Sequence, residues 1–267
     1  AYPIQKIIFN ENVPPLLMGS LRMLVVFVCL LPFWKFKIPK KKYWLPLFCF
    51  SISMGFLTNA FMTLSINKAN IVSPIIIGSQ LAIPFAILLS SFFLNEKVSM
   101  KKWILIFVSF FGIVLLGFDP LIRNEIFALI LISFMAFFYA SAQVFSRYLK
   151  DLEVTLTNCI MGLIGFLFLI ILSSIFEGNT FKHVENISIQ SWLLILHSGI
   201  FVSIGAHMCM FYLYRIYPVN MVFPFYALFP VFGVMLSFII FYEIPTLITL
   251  VGGLIVIVST FLINREN

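Results

Sequence analysis

Charged residues are scarce in this sequence. Only 10% of its 267 residues are Asp, Glu, Lys or Arg, whereas 62% are apolar and 17% are aromatic. A soluble domain carries about a quarter charged residues, because these cover its surface. With so few charges, lipid must solvate much of the chain. We therefore expect a membrane protein without a nucleic-acid partner, although the net charge is +7.

Carboxylates are absent from the interior of the apolar runs. All ten Asp and Glu residues lie between these runs or at their ends. Proton-coupled carriers commonly hold a carboxylate at membrane depth. Coupling through a carboxylate is therefore disfavoured. His197 and His207 remain candidate titrating groups, but packing between helices is the favoured interpretation of each.

Catalytic and metal-binding motifs are also missing. None of the four cysteines has metal-ligand spacing with another, and all lie in apolar runs. The sequence contains no H-E-x-x-H, no G-x-S-x-G and no Gly-rich phosphate loop. We expect neither an enzyme nor a bound metal or cofactor.

What the sequence does contain is a series of apolar runs. A spanning helix needs roughly 17–25 mostly apolar residues. Nine runs approach or exceed this length: Leu16–Phe33, Tyr43–Leu64, Ile71–Leu94, Trp103–Phe118, Ile126–Tyr148, Thr155–Phe176, Trp192–Tyr217, Met221–Tyr242 and Leu247–Ile263.

Two stretches of the chain repeat one another. When Asn70 is aligned with Asn220, Pro74 falls on Pro224 at the same offset. Internal repeats in membrane proteins indicate transport. The repeat predicts two units, residues 1–122 and 123–267.

The second unit supplies five helices, while the first supplies four and the short apolar segment Ala1–Phe9. We interpret this segment as the distal end of a first helix. An odd number of crossings per unit places the two units in opposite orientations. The predicted fold class is an all-α integral membrane protein with two inverted five-helix repeats, thus ten transmembrane helices, the first truncated in this sequence.

The basic residues predict the orientation. If the Lys35–Lys42 loop is cytoplasmic, twelve of the 17 Lys and Arg residues lie on that side and four on the other, with Arg22 inside a span. This bias follows the positive-inside rule. It predicts a cytoplasmic C-terminus.

Arg22 is the one basic residue well inside an apolar run, since Arg147 and Arg215 lie at the ends of theirs. It either attracts an anionic or zwitterionic substrate, or it has a structural role near the membrane surface. Pro74, Pro84, Pro224 and Pro230 can break helices, and broken helices line the pathways of transporters. Polar side chains on or beside these helices include Ser79 and the predicted substrate-binding residues. Those residues are Arg22, Asn59, Asn70, Gln80, Tyr139, Gln143, His207, Tyr212, Asn220 and Tyr226.

Three stretches resemble the EamA family of the drug/metabolite transporter superfamily. They are PPLLMGSLRMLVVF around Arg22, FFLNEKVSMKKWILIFVSFFGIVLL and FIIFYEIPTLITLVGGLIVIV. Asn95-Glu96 with Gly112, and Glu243 with Gly252-Gly253, match the way in which each repeat of that family ends. The resemblance covers essentially the whole chain.

The resemblance implies a carrier in the bacterial inner membrane with a central cavity between its two halves. Its expected partners are the lipid bilayer and a small-molecule substrate, most simply an amino acid or related zwitterion that is exported or exchanged. The alternatives are an exchanger of nucleotide sugars or phosphorylated metabolites, and a membrane scaffold that does not transport. Small residues four apart, at Ala136/Ala140 and Gly199/Ser203, permit close helix packing and leave a homodimer open.

Overall fold

The fold is a bundle of helices. The computed structural model describes residues 2–34, 39–93, 98–116, 118–119, 123–206, 209 and 229–265, and within these ranges it contains no strand. Six of the described helices are long and apolar enough to cross a membrane, and two shorter apolar helices follow them.

Ten main helices follow one another in the described ranges of the chain. The first five are α1 Tyr2–Asn10, α2 Pro15–Leu30, α3 Lys41–Lys68, α4 Ser73–Phe93 and α5 Met100–Leu116. The second five are α6 Ile126–Arg147, α7 Val154–Phe176, α8 Ile189–Ala206, α9 Phe229–Phe241 and α10 Leu247–Arg265. A short helix, Thr180–Glu185, lies between α7 and α8.

The helix ends follow local capping rules. α8 begins before the predicted Trp192, because Ser188 caps it by accepting a hydrogen bond from the Ser191 N–H. Pro74 lies in the first turn of α4, where a missing N–H costs nothing, so it does not break the helix. Pro84 does accompany an interruption, since a 3₁₀ turn at Ser79–Leu81 precedes it.

Glycines bring several helix pairs into backbone contact. A Cβ on Gly165 of α7 would lie 2.6 Å from the Gly55 carbonyl oxygen of α3. A Cβ on Gly162 would lie 2.9 Å from the Phe27 nitrogen of α2. In the same way α5 meets α10, where a Cβ on Gly112 would lie 3.0 Å from the Gly252 carbonyl oxygen. The pairs α3/α7, α2/α7 and α5/α10 therefore have no room for a side chain between them.

Carboxylates stabilise the helix ends at one side of the bundle, which we call the Glu177 face after the residue that follows α7. Glu177 accepts hydrogen bonds from the backbone N–H groups of Leu16 and Leu17, at 2.7 and 2.9 Å. These donors would otherwise be unsatisfied at the start of α2, where Pro14 offers no side-chain cap. A negative charge at a helix N-terminus also interacts favourably with the helix dipole.

Two further carboxylates of the Glu177 face join the predicted units. Glu11 accepts hydrogen bonds from the hydroxyls of Ser188 and Ser191, the latter at 2.6 Å. Asp119 accepts from the hydroxyls of Thr246 and Thr249, the latter at 3.0 Å. The opposite side, where Tyr43 donates to Asp151 at 2.9 Å, we call the Asp151 face.

The main hydrophobic core lies just beneath the Glu177 face. It combines the ends of six helices, α1, α2, α3, α4, α6 and α8, through residues such as Ile8, Met18, Ile66, Ile75 and Ile132. These five side chains are fully buried. The first turns of the bundle on this side are therefore sealed by apolar packing.

Gly165→Ala tests the backbone contact between α3 and α7. The added methyl group must displace backbone, because the nearest atoms belong to Gly55, so we expect the free energy of unfolding to fall by about 1–3 kcal/mol. Thermal unfolding in detergent measures the change. Gly19→Ala is the matched control, since its Cβ would meet nothing closer than 3.5 Å. Equal stability of the two variants would contradict this account.

Glu11→Gln tests the link between α1 and α8. The hydrogen bonds from Ser188 and Ser191 lower the pKa of Glu11, so this carboxylate contributes stability above its ordinary pKa and loses that contribution as the pH falls through the lowered pKa. We expect the wild type to unfold at a higher temperature than Glu11→Gln at pH 7, and the difference to vanish in acid. This difference in unfolding temperature should also be smaller when both proteins carry Ser191→Ala. A difference that persists in acid would contradict the link between Glu11 and α8.

Candidate functional site

Buried polar side chains meet where α1, α2, α4 and α6 approach one another. The Tyr2 hydroxyl of α1 lies near Ser79 of α4, and Arg22 of α2 and Tyr139 of α6 are within electrostatic range of it. The Tyr2 ring also lies against Phe229 of α9, with ring centroids 5.7 Å apart. We call Tyr2, Arg22, Ser79 and Tyr139 the central cluster, and we include in it two buried residues that are near in the chain, Gln5, three residues after Tyr2, and Gln80, directly after Ser79.

Arg22 is hydrogen-bonded to α8, and its Nη1 group has no hydrogen-bond partner. Its side chain is 5% exposed, and its Nε donates to the Ser203 hydroxyl at 2.8 Å. Ser203 in turn donates to the carbonyl of Ser198 at 3.2 Å. The Nη1 group is buried without a hydrogen-bond partner. Arg22 therefore does not snorkel to the membrane surface, and it presents an unused cationic donor inside the bundle.

Gln80 and Gln5 present unused amides. Gln80 is 1% exposed and Gln5 is 0% exposed, yet neither side chain has a hydrogen-bond partner for its oxygen or its nitrogen. A buried polar group that is left unpaired costs about 1–3 kcal/mol. Such groups are uncommon in a folded core and point to a site that binds a polar molecule.

The central cluster lies within the membrane. Tyr2 lies eight residues before the end of α1, and Ser79 lies six residues after the start of α4. At 1.5 Å per residue these positions are roughly 9–12 Å from the Glu177 face. The apolar part of a bilayer is about 30 Å thick, so the cluster lies well inside it. The hydrophobic core described above separates it from the Glu177 face.

Asn59 and Asn70, two of the predicted site residues, are engaged by the protein itself. The Asn59 amide nitrogen donates to the carbonyls of Met54 and Gly55, at 2.9 and 3.2 Å, where α3 contains a π-helical segment. The Asn70 amide nitrogen donates to Glu125 at 2.8 Å, and Asn70 is exposed at the Glu177 face. Neither side chain belongs to the central cluster.

The remaining predicted site residues divide into two groups. Tyr139 and Gln143 are half-buried and lie one turn apart on α6, so they share a side of that helix. Tyr139 reaches the central cluster, and the Gln143 carbonyl accepts a hydrogen bond from Ser146. His207, Tyr212, Asn220 and Tyr226 lie outside the described residues, and their roles stay predictions.

Sequence reasoning missed Tyr2, Gln5 and the role of Ser203. Tyr2 and Gln5 belong to a segment too short to span, but they are three residues apart and therefore on one side of a helix, a signal that could have been read. In the sequence, Ser203 stands out only as a small residue four positions after Gly199. Its pairing with Arg22 depends on the approach of α8 to α2, where a Cβ on Gly199 would lie 2.5 Å from Val25 Cγ1.

Metal-binding side chains do not gather in the described part of the chain, which holds no group of three His, Cys, Asp or Glu residues that could bind an ion. The His197 ring stacks on Phe201, with centroids 5.3 Å apart, and its Nδ1 is buried without a partner. The chemistry available at the central cluster is therefore that of one cation, two amides and several hydroxyls.

Comparison with solved structures supports the same fold. A crystal structure matches with a TM-score of 0.65 over 99% of this chain and 94% of that chain, at 15% sequence identity. At this identity the match shows the fold alone. Among curated protein sequences, no match is found.

Comparison with protein families identifies the chain. The sequence profile of the EamA-like transporter family matches twice, over residues 1–118 and 126–265. With the apolar helices described above, this confirms the predicted fold class, an all-α integral membrane protein that crosses the bilayer many times and contains two repeats. The boundary that we predicted between residues 122 and 123 stays a prediction. The chain belongs to the EamA-like transporter family of the drug/metabolite transporter superfamily.

Proposed function

We propose that this protein is a secondary transporter of a small polar metabolite, an amino acid or related zwitterion, which it exports or exchanges by alternating access. The observation that carries the proposal is the set of buried, unpartnered polar groups on Gln5, Arg22 and Gln80. Family membership supports transport. The substrate class rests on the chemistry of these groups.

Each end of a zwitterion finds a matching group in the central cluster. The free Nη1 of Arg22 suits a carboxylate, since a guanidinium donates to carboxylate oxygens at well-defined angles. The sequence places no Asp or Glu within the ten helices. An ammonium group would therefore be received by the amide oxygens of Gln5 and Gln80 and by the ring of Tyr2 or Tyr139.

The two alternatives fit less well. A nucleotide sugar or a phosphorylated metabolite carries at least two negative charges and requires several cations. In the described central cluster Arg22 is the one cation, and Lys6 already donates to the Ala69 carbonyl at 2.5 Å. A scaffold would gain nothing from leaving buried amides unpaired, because that lowers its stability.

The proposed orientation follows from the basic residues. Lys40, Lys41, Lys42, Arg147 and Lys150 lie near the Asp151 face. Positively charged loops face the cytoplasm, so we assign the Asp151 face and the C-terminus to the cytoplasmic side of a bacterial inner membrane. The Glu177 face is then the outer face.

Counterflow in proteoliposomes tests the proposal directly. We expect a labelled amino acid to exchange against the same unlabelled amino acid with saturation, whether or not a pH gradient is applied. Exchange of sugar phosphates or nucleotide sugars alone would favour the first alternative. The absence of counterflow with every solute tested would favour the scaffold.

Gln80→Met and Gln5→Met separate binding from folding. Replacing an unpaired buried amide by an apolar side chain of similar size removes a penalty, so we expect the unliganded protein to unfold at the same or a higher temperature. Counterflow should fall by roughly tenfold or more, because each lost hydrogen bond to the substrate is worth about 1–1.5 kcal/mol or more.

Ser109→Ala is the matched control for these two variants. Ser109 of α5 is also buried with an unpartnered hydroxyl, but it lies outside the central cluster. It should gain stability without losing counterflow. Normal counterflow in both glutamine variants would remove Gln5 and Gln80 from the site.

Arg22→Ala tests which part of the substrate faces the guanidinium. We expect apparent affinity for an amino acid to fall by tenfold or more, as a charge-assisted hydrogen bond is worth about 1.5–3 kcal/mol. Affinity for the corresponding amino acid amide should change little. Competition of each compound with labelled substrate measures this difference. An equal loss for both compounds would return Arg22 to a structural role.

A further inference from the structure

Glu243, at the end of α9, caps the start of α4. Its two carboxylate oxygens accept from the backbone N–H groups of Val72 and Ser73, at 2.7 and 3.0 Å, and the Ser73 hydroxyl also donates to it at 2.7 Å. A carboxylate that receives three hydrogen bonds at a helix N-terminus is strongly held. The contact joins the first predicted unit to the second at the Glu177 face.

Three more residues extend this contact to α1 and α6. Glu125, which directly precedes α6, accepts from the backbone and side-chain nitrogens of Asn70, at 2.9 and 2.8 Å. Lys6 of α1 donates to the Ala69 carbonyl at 2.5 Å and interacts electrostatically with both Glu125 and Glu243. We call Lys6, Asn70, Ser73, Glu125 and Glu243 the α4 latch.

The α4 latch joins α4 to α9, a pair that meets through side chains rather than backbone. Glu177 and Asp119 instead link α2 to α7 and α5 to α10, which are already in backbone contact through glycines. Between α4 and α9 the contact is softer, because the Cβ that would be added to Gly233 meets only the side chain of Ile76. These two helices can move apart without breaking a backbone contact.

α4 also contains a point at which it can bend. Its first segment, Ser73–Gly78, is followed by the 3₁₀ turn Ser79–Leu81 and then by Pro84. Prolines and changes of helical geometry are the usual sites of helix kinks. Ser79 lies in this turn, and its hydroxyl donates to the Ile76 carbonyl at 2.7 Å. Tyr2 lies near Ser79, so the bend adjoins the central cluster.

We infer that the α4 latch is the outer gate of the transporter. The inference rests on the proposed function and orientation. With the latch closed, the latch and the hydrophobic core beneath it separate the central cluster from the outer face. Opening releases the N–H groups of Val72 and Ser73 from Glu243, and Ser73–Gly78 then swings outward about the Ser79–Leu81 turn.

Labelling of a buried cysteine tests the gate. The protein is the full chain with Cys29, Cys49, Cys159 and Cys209 replaced by Ala and with Ser79→Cys as the reporter. A thiol reagent that cannot cross membranes is added to intact cells. We expect slow labelling with the latch intact. Glu243→Gln should accelerate it about tenfold, which corresponds to about 1.4 kcal/mol, because the side-chain amide cannot accept all three hydrogen bonds.

Glu177→Gln is the matched control. It removes the same kind of helix cap, but between α2 and α7, and labelling should stay within about twofold of the reference, since backbone contact holds that pair. Labelling of the solubilised, denatured protein gives the amount of chain in each sample. If the Glu243→Gln variant does not accumulate in cells, Ser73→Ala and Lys6→Met are used in its place, because each of them also weakens the α4 latch.

Two results would overturn the inference. One is equal labelling of the latch variants and the reference, or an equal rise in Glu177→Gln. The other is faster labelling that occurs only in inverted vesicles, which would place the latch on the cytoplasmic side. The labelling experiment uses no substrate, so it can support the gate even if no amino acid shows counterflow. A negative labelling result, in turn, does not bear on the proposed substrate class.

Discussion

The cost of placing charge in lipid governs this molecule. An ionised side chain in the membrane costs several kcal/mol unless it finds a partner, so nearly every charge is kept at a helix end. Glu11, Glu125, Glu177 and Glu243 all lie there, and each receives hydrogen bonds from a helix start or from the link before it. Among the residues that the structure describes, Arg22 is the exception, and Ser203 stabilises it only in part.

This constraint divides the bundle into a rigid part and a polar centre. Glycine contacts fix α2 against α7 and α5 against α10, and the carboxylates Glu177 and Asp119 hold the ends of those pairs. The helices that surround the central cluster meet through side chains instead. A carrier requires both properties, since alternating access needs rigid elements that move against one another around a fixed site.

Sequence patterns predicted the helices and the family well, because membrane length and repeated motifs leave strong signals. They also predicted Arg22, Gln80 and Tyr139 as polar residues of interest, and the structure brings Arg22 and Tyr139 together around Tyr2, with Gln80 beside Ser79. Tyr2 and Gln5 were missed because their helix is only 9 residues long. The engagement of Asn59 by a π-helical segment and of Asn70 by Glu125 depends on contacts that no local pattern encodes.

The central claim is that the unpartnered hydrogen-bonding groups of Gln5, Arg22 and Gln80 bind a zwitterionic substrate. Substrate-dependent thermal stabilisation of the purified protein tests it most directly, since a ligand at 100 times its Kd stabilises the folded state by about 2.7 kcal/mol. We predict that an amino acid raises the unfolding temperature of the wild type clearly more than that of Gln80→Met, because tenfold weaker binding lowers the stabilisation to about 1.4 kcal/mol or less. Stabilisation of both proteins to the same extent, or of neither by any amino acid, would contradict the account.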